Sequence, residues 1–173
     1  MVVKKRIITH RSSQKGGNPI VRMMMAIMEG NTDLVNKLLD EGADPNTKNP
    51  VDHVTALMMA SIEGKTDIVR SLIRRGANVN LKTKDGRTAL MAACLIRDTD
   101  IVQILLDNGA NVNSQADNGK TALLVAASND DKNTVKLLLD RGANMELRGG
   151  KSRHHGRKMK NSRKKRKTRK NKK

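Results

Sequence analysis

Gly42-Ala43-Asp44, Gly76-Ala77-Asn78, Gly109-Ala110-Asn111 and Gly142-Ala143-Asn144 recur along the chain at intervals of 34, 33 and 33 residues. Thr55-Ala56-Leu57, Thr88-Ala89-Leu90 and Thr121-Ala122-Leu123 recur at 33 and 33, each threonine 21 residues before a Gly-Ala pair. Two independent markers therefore share one period and one offset. A period near 33 describes small supersecondary units that cannot bury their own apolar faces singly. Stacked side by side they enclose a continuous core and leave an extended, open surface. The first functional expectation is a surface that holds a partner.

Thr88 to Asn113 is the clearest unit. Thr88 is suited to cap a helix by accepting a backbone N–H bond. Ala89-Leu90-Met91-Ala92-Ala93-Cys94 is small and apolar, which fits a short helix packed closely between neighbours. Asp98 or Thr99 is placed to cap a second helix, with Asp100 near its positive end. Ile101, Val102, Leu105 and Leu106 then form one apolar face of period 3.6. Gly109 is the helix stop, where a left-handed residue is wanted. Asn118-Gly119 marks a tight turn further on. The unit reads helix, turn, helix, hairpin.

These residues resemble the ankyrin repeat, whose pattern is Asp-Gly-x-Thr-Pro-Leu-His, then Ile-Val-x-Leu-Leu-Leu, then Gly-Ala-Asp-Val-Asn. Here the pattern stands as Asp85-Gly86-Arg87-Thr88-Ala89-Leu90-Met91, Asp100-Ile101-Val102-Gln103-Ile104-Leu105-Leu106 and Gly109-Ala110-Asn111-Val112-Asn113. The resemblance implies an all-α solenoid of four helix-turn-helix units with hairpin loops near 48–54, 82–87 and 115–120. The repeats would run over about 18–49, 50–82, 83–115 and 116–147, between a basic segment 1–17 and a Lys/Arg-rich tail 148–173. Several positions depart from the pattern. The family proline is Ala56, Ala89 and Ala122, and the family histidine is Met58, Met91 and Leu124. That change removes a hydrogen bond that usually fastens adjacent repeats. The glycine between the helices, Gly30 and Gly64, becomes Arg97 and Asp130. Thr134 replaces the apolar residue seen at Ile68 and Ile101, so the last helix should pack less apolar surface. The loop 48–54 has one extra residue, with His53 where Gly86 and Gly119 stand.

Candidate chemistry is sparse. The acids recur at helix-end positions (Asp33, Asp67, Asp100), where electrostatics accounts for them without catalysis. No Ser/His/Asp or Cys/His arrangement is placed by the repeat, so no enzyme, cofactor or metal site is expected. His154-His155 sits in a basic stretch that opposes a cation. Most of Met23, Met24, Met25, Met28, Met58, Met59 and Met91 fall at core positions. Cys94 is the only cysteine and aligns with Ser61 and Ala127, small inner-helix positions. A lone thiol, no secretory-type apolar run and no long apolar stretch suit an intracellular monomer away from the membrane.

The resemblance supplies the candidate site. In ankyrin stacks, hairpin tips and the exposed side of each first helix line a concave face. The matching helix positions are Met28, Ile62 with Glu63, and Leu95 with Ile96. The loops offer Val51, Asp52 and Val54, then Lys84, Asp85 and Arg87, then Asp117, Asn118 and Lys120. An apolar strip rimmed by charge marks a binding surface for a protein. The competing reading folds these side chains against their own loops, and both stay open at this point.

The formal charge of +18 is unevenly distributed. Residues 18–147 hold all 17 acidic groups and are near neutral, whereas 148–173 carry 15 basic groups and no acid. With so few apolar residues the tail is expected to be disordered. Arg163-Lys164-Lys165-Arg166-Lys167, with Arg169, Lys170 and the cluster Arg157-Lys158, looks like a nuclear import signal or a nucleic-acid contact. Nuclear rather than cytoplasmic residence follows from that reading. A rival function is a nucleic-acid accessory protein in which the tail acts and the repeats space it. Gly-Gly hinges with such tails resemble those of ankyrin proteins encoded by large DNA viruses. Phe, Tyr and Trp are absent, so no aromatic side chain stacks on bases. A tail neutralising about six phosphates would lose roughly a thousandfold in affinity for duplex DNA between about 50 and 200 mM salt. Deleting residues 148–173 is expected to abolish that salt-sensitive binding and to move a fluorescent fusion out of the nucleus. Unchanged affinity and unchanged location would favour a merely solubilising tail.

Overall fold

The computed structural model describes residues 18–145. Eight helices follow one another in four pairs. They are α1 (Pro19–Glu29) with α2 (Thr32–Asp40), α3 (Ala56–Ile62) with α4 (Thr66–Arg74), α5 (Ala89–Ile96) with α6 (Thr99–Asp107), and α7 (Ala122–Ser128) with α8 (Lys132–Asp140). Each first helix packs on the next first helix and each second on the next second, giving two helical layers. Among the described residues no strand forms, and the loop 48–54 closes with a single antiparallel bridge between Lys48 and Thr55. The expected helical solenoid is therefore the fold.

The recurring threonines start the first helices as their spacing implied. The hydroxyls of Thr55, Thr88 and Thr121 accept the amides of Met58, Met91 and Leu124 at 3.2, 3.4 and 3.2 Å. All three threonines are buried, so these bonds also satisfy groups hidden from water. The second helices are capped by acids or amides. Asn31 accepts from Leu34 at 3.0 Å, Asp98 from Ile101 at 2.9 Å and Asp131 from Thr134 at 3.2 Å. Asp98, not Thr99, is thus the cap of α6. Lys65, at the same place before α4, makes no side-chain cap bond.

Packing follows the same period. Ala26, Ala60, Ala93 and Ala126 lie in register along the first helices and are fully enclosed. A methyl-sized side chain at that point lets neighbouring first helices approach closely, and they pack more tightly than the second helices do. Val35, Val69 and Val102 with Leu38, Leu72, Leu105 and Leu138 fill the other layer. The last helix is the weak one, as expected from Thr134. Only Thr134 and Leu138 are buried on α8, against four residues on α6. The Thr134 hydroxyl is paired with that of Thr99 at 3.0 Å, so the substitution leaves no orphaned polar group there.

The methionines divide. Met23, Met58 and Met91 are buried, while Met25 and Met28 are exposed on α1. Met28 is open at the helix position that is also open at Ile62 and Leu95, so for Met25 and Met28 the core expectation fails. The turns between paired helices keep a left-handed residue whatever its identity, with φ of 70° at Gly30, 64° at Gly64, 62° at Arg97 and 52° at Asp130. A side chain in that conformation costs about 1–2 kcal/mol. The geometry of the turn is fixed by the stack and overrides the residue.

The repeats are fastened by a clasp from the asparagine that closes each Gly-Ala-x-x-Asn stretch. Asn46 Nδ2 donates to the carbonyl of Gly76 at 3.1 Å, and Asn46 Oδ1 accepts the amide of Asn78 at 2.7 Å. Asn80 does the same to Gly109 and Asn111 at 2.9 and 2.8 Å. Asn113 repeats it on Gly142 and Asn144 at 3.1 and 2.8 Å. Each clasp residue is held in place by a side chain two positions earlier. The amides of Asn46, Asn80 and Asn113 donate to Asp44, Asn78 and Asn111 at 2.8, 2.9 and 3.0 Å. Both hydrogen-bonding ends of one planar amide are therefore used across every junction.

Asn80→Ala removes the clasp between the second and third helix pairs and leaves two main-chain groups to water. It is expected to cost about 1–2 kcal/mol in urea unfolding. Asn133→Ala, on the exposed side of α8, should stay within about 0.5 kcal/mol of the parent.

Candidate partner groove

The loops before α3, α5 and α7 stand side by side as three fingers. Each closes on itself: the amide of Asn49 donates to the Val54 carbonyl, Thr83 to Arg87 and Ala116 to Lys120, all at 2.9 Å. The first finger is one residue longer than the others, and His53 takes a left-handed φ of 63° where Gly86 and Gly119 have 79° and 76°. Neighbouring fingers are joined through their backbones. Lys84 donates its amide to the Asp52 carbonyl at 2.9 Å, and Asp117 to that of Asp85 at 3.0 Å. Gly86 sits at the tightest point of this row. A Cβ there would lie 2.9 Å from Asp117 Oδ1 and 3.0 Å from the Ala116 and Asp117 backbone, so close approach as well as φ demands glycine.

Between the fingers and the first helices runs a cleft of about 610 Å³. Its floor is Met58 and Met91, 3% and 4% exposed, with Ala92 and Val125 beside them. Ile62 and Leu95 rise from the helices at 42% and 59% exposure, and Val51 stands on the first finger at 77%. The rim is formed by Asp52, Lys84, Asp85, Arg87, Asn118 and Lys120, with Val54 half-buried between them.

The structure thus brings together Val51, Asp52, Val54, Ile62, Lys84, Asp85, Arg87, Leu95, Asn118 and Lys120. It places four other sequence candidates elsewhere. Ile96 is one residue past Leu95, about 100° around the helix, and a Cβ on Gly64 would meet its Cδ1 at 3.6 Å. It therefore packs toward the turn of the preceding pair. Asp117 is used in stacking finger on finger. Glu63 is the cap residue that ends α3, and Met28 lies one repeat before the cleft. The floor residues were missed, although the signal was present. Met58 and Ile62, and Met91 and Leu95, are i and i+4 pairs, so each shares one helical face. The tail residues Arg157, Lys158, Arg163, Lys164, Lys165, Arg166, Lys167, Arg169 and Lys170 lie outside the described residues.

On the rim, the Thr83 hydroxyl donates to Asp85, and Arg87 Nε approaches Asp85 at 2.7 Å. The hydroxyl first and the guanidinium next hold the Asp85 carboxyl below its ordinary range. Lys84 Nζ donates to the Pro50 carbonyl at 3.3 Å. Among the described residues no cluster of three or more histidine, cysteine or acidic side chains is placed to hold a metal. None of the described helices is long and apolar enough to cross a membrane.

The family model for ankyrin repeats (3 copies) matches residues 23–116 and, in a second placement, 57–149. No curated protein matches the chain.

Cys94 is enclosed in the core, and burial, helped by the negative charge of Asp131, pushes its thiol up to about 12. The thiolate that would react is therefore scarce at neutral pH. An aromatic disulfide reagent is expected to label Cys94 only as fast as the fold opens, and promptly in urea. Rapid labelling of the native protein would show the thiol is accessible.

Proposed function

The chain belongs to the ankyrin-repeat family, and on that premise we propose that its four repeats form a non-enzymatic scaffold that holds a protein partner in the cleft under the fingers. Ankyrin repeats are in general protein–protein interaction modules. The observation that carries the reading here is the pair Ile62 and Leu95, substantially exposed at the centre of a concave, charge-rimmed surface. Large apolar side chains at the centre of a water-excluding rim are where binding energy concentrates.

The basic tail adds a second, electrostatic component, with 15 cationic groups and no acid over residues 148–173. It would draw the protein to an import receptor or to nucleic acid and place it in the nucleus. A reading in which the tail is the working part and the repeats are a spacer is favoured by that same charge. The two differ in where a loss of binding can be produced.

Ile62→Asp with Leu95→Asp, made in the full chain, is expected to weaken capture of the partner at least about 30-fold while the helical circular dichroism is retained. Ile96→Ser, outside the cleft, should leave capture intact. Undiminished capture by the folded double variant would overturn the groove. Loss only on removal of residues 148–173 would favour the tail-led reading.

A further inference from the structure

We propose that the cleft takes a peptide segment of the partner by one large apolar anchor residue seated on Met58 and Met91, with an acidic residue of that segment beside Lys120. This rests on the groove reading above and specifies its ligand.

The floor carries the first half. Met58 and Met91 stand where the family pattern has histidine, so two polar, hydrogen-bonding positions have become thioether ones. Both line the cleft while almost wholly enclosed, and Ile62 and Leu95 stand above them progressively more open. Depth therefore increases toward a floor without charge. That shape favours a side chain entering end-on over a flat apposition of two surfaces. Methionine sulfur and methyl groups adapt to the shape of what they meet and make favourable edge contacts with aromatic rings. At about 610 Å³ the cleft is of the size that encloses a compact ligand, enough for an anchor and the residues flanking it.

The rim carries the second half. Asp85 and Arg87 neutralise one another. Asp52 and Lys84, one acid and one base, lie on adjoining fingers joined by a backbone bond. Lys120 has no ion-pair partner among the described residues, and the acid on its own finger, Asp117, does not line the cleft, one of its carboxylate oxygens lying against Gly86 of the neighbouring finger. The side chains lining the cleft thus hold three bases, Lys84, Arg87 and Lys120, against two acids, Asp52 and Asp85, an excess in the sense that attracts a carboxylate.

The test selects from a random peptide library on the immobilised full chain. Excess inorganic polyphosphate saturates the tail, and binders that also bind the folded Leu95→Asp chain are discarded. Selected peptides should share a large apolar residue with an acidic neighbour. One such synthetic peptide should shift the 13C-methyl resonances of Met58 and Met91 and leave that of Met23 in place. Lys120→Glu should weaken it by about 3- to 5-fold, as for an exposed ion pair. Peptides lacking a common apolar residue, shifts confined to Met25 and Met28, or indifference to Lys120→Glu would each overturn the proposal. If no peptide is selected while a folded partner is still captured through Ile62 and Leu95, this inference falls and the functional reading stands. If the Ile62→Asp, Leu95→Asp chain captures the partner normally, both fall.

Discussion

Each junction in this stack is closed by one asparagine side chain reaching across to the next repeat. Asn46, Asn80 and Asn113 each donate to a glycine carbonyl and accept from an amide two residues further on. The clasps lie at the roots of the fingers, whose tips are joined by backbone bonds of their own. An apolar interface alone would resist separation but tolerate sliding, because burial is non-directional. Two oppositely directed hydrogen bonds from a planar group fix the rotation of one repeat against the next. The preceding Asp or Asn holds the clasp residue before it reaches across, so part of the ordering cost is met within the turn.

The remaining ties between repeats are fewer and less regular. Arg75 pairs with Asp40 at 2.6 Å and Arg141 with Asp107 at 2.8 Å, both at the exposed ends of second helices where water screens them. Asn129 donates to the carbonyls of Cys94 and Leu95 at 3.2 Å, closing the end of α5 against α7. Ser71 bonds to Asn36 between α4 and α2. None of these recurs at every junction, as the asparagine clasp does. Uneven second ties make the junctions unequal in strength, and in a linear array that inequality sets where opening begins.

Much of the fold was legible in the residues because its determinants are local. The threonine hydroxyls at 55, 88 and 121 cap helices by contacts three residues away. The left-handed helix stop at Gly109 was legible, whereas Arg97 and Asp130 read as departures from Gly30 and Gly64 and yet keep the same left-handed turn. What stayed hidden depends on partners about 30 residues distant. Asn80 recurs on the period as a pattern residue, but what its side chain does is unreadable until Gly109 is placed opposite it. In the cleft, alignment by repeat position found Ile62 and Leu95, but treating Leu95-Ile96 as a doublet ignored the rotation between successive helical residues. Met58 and Met91 were assigned to the core by repeat position, and they are buried, yet a buried side chain can still form the floor of an open cleft.

The thioether and aliphatic character of that floor has an optical consequence. The chain contains no tryptophan, tyrosine or phenylalanine, so its groove is dark in the near ultraviolet. With a ligand that carries a single tryptophan, that indole is the sole fluorophore in the complex. Its emission reports the polarity of the floor directly, without the background that obscures such signals in most proteins.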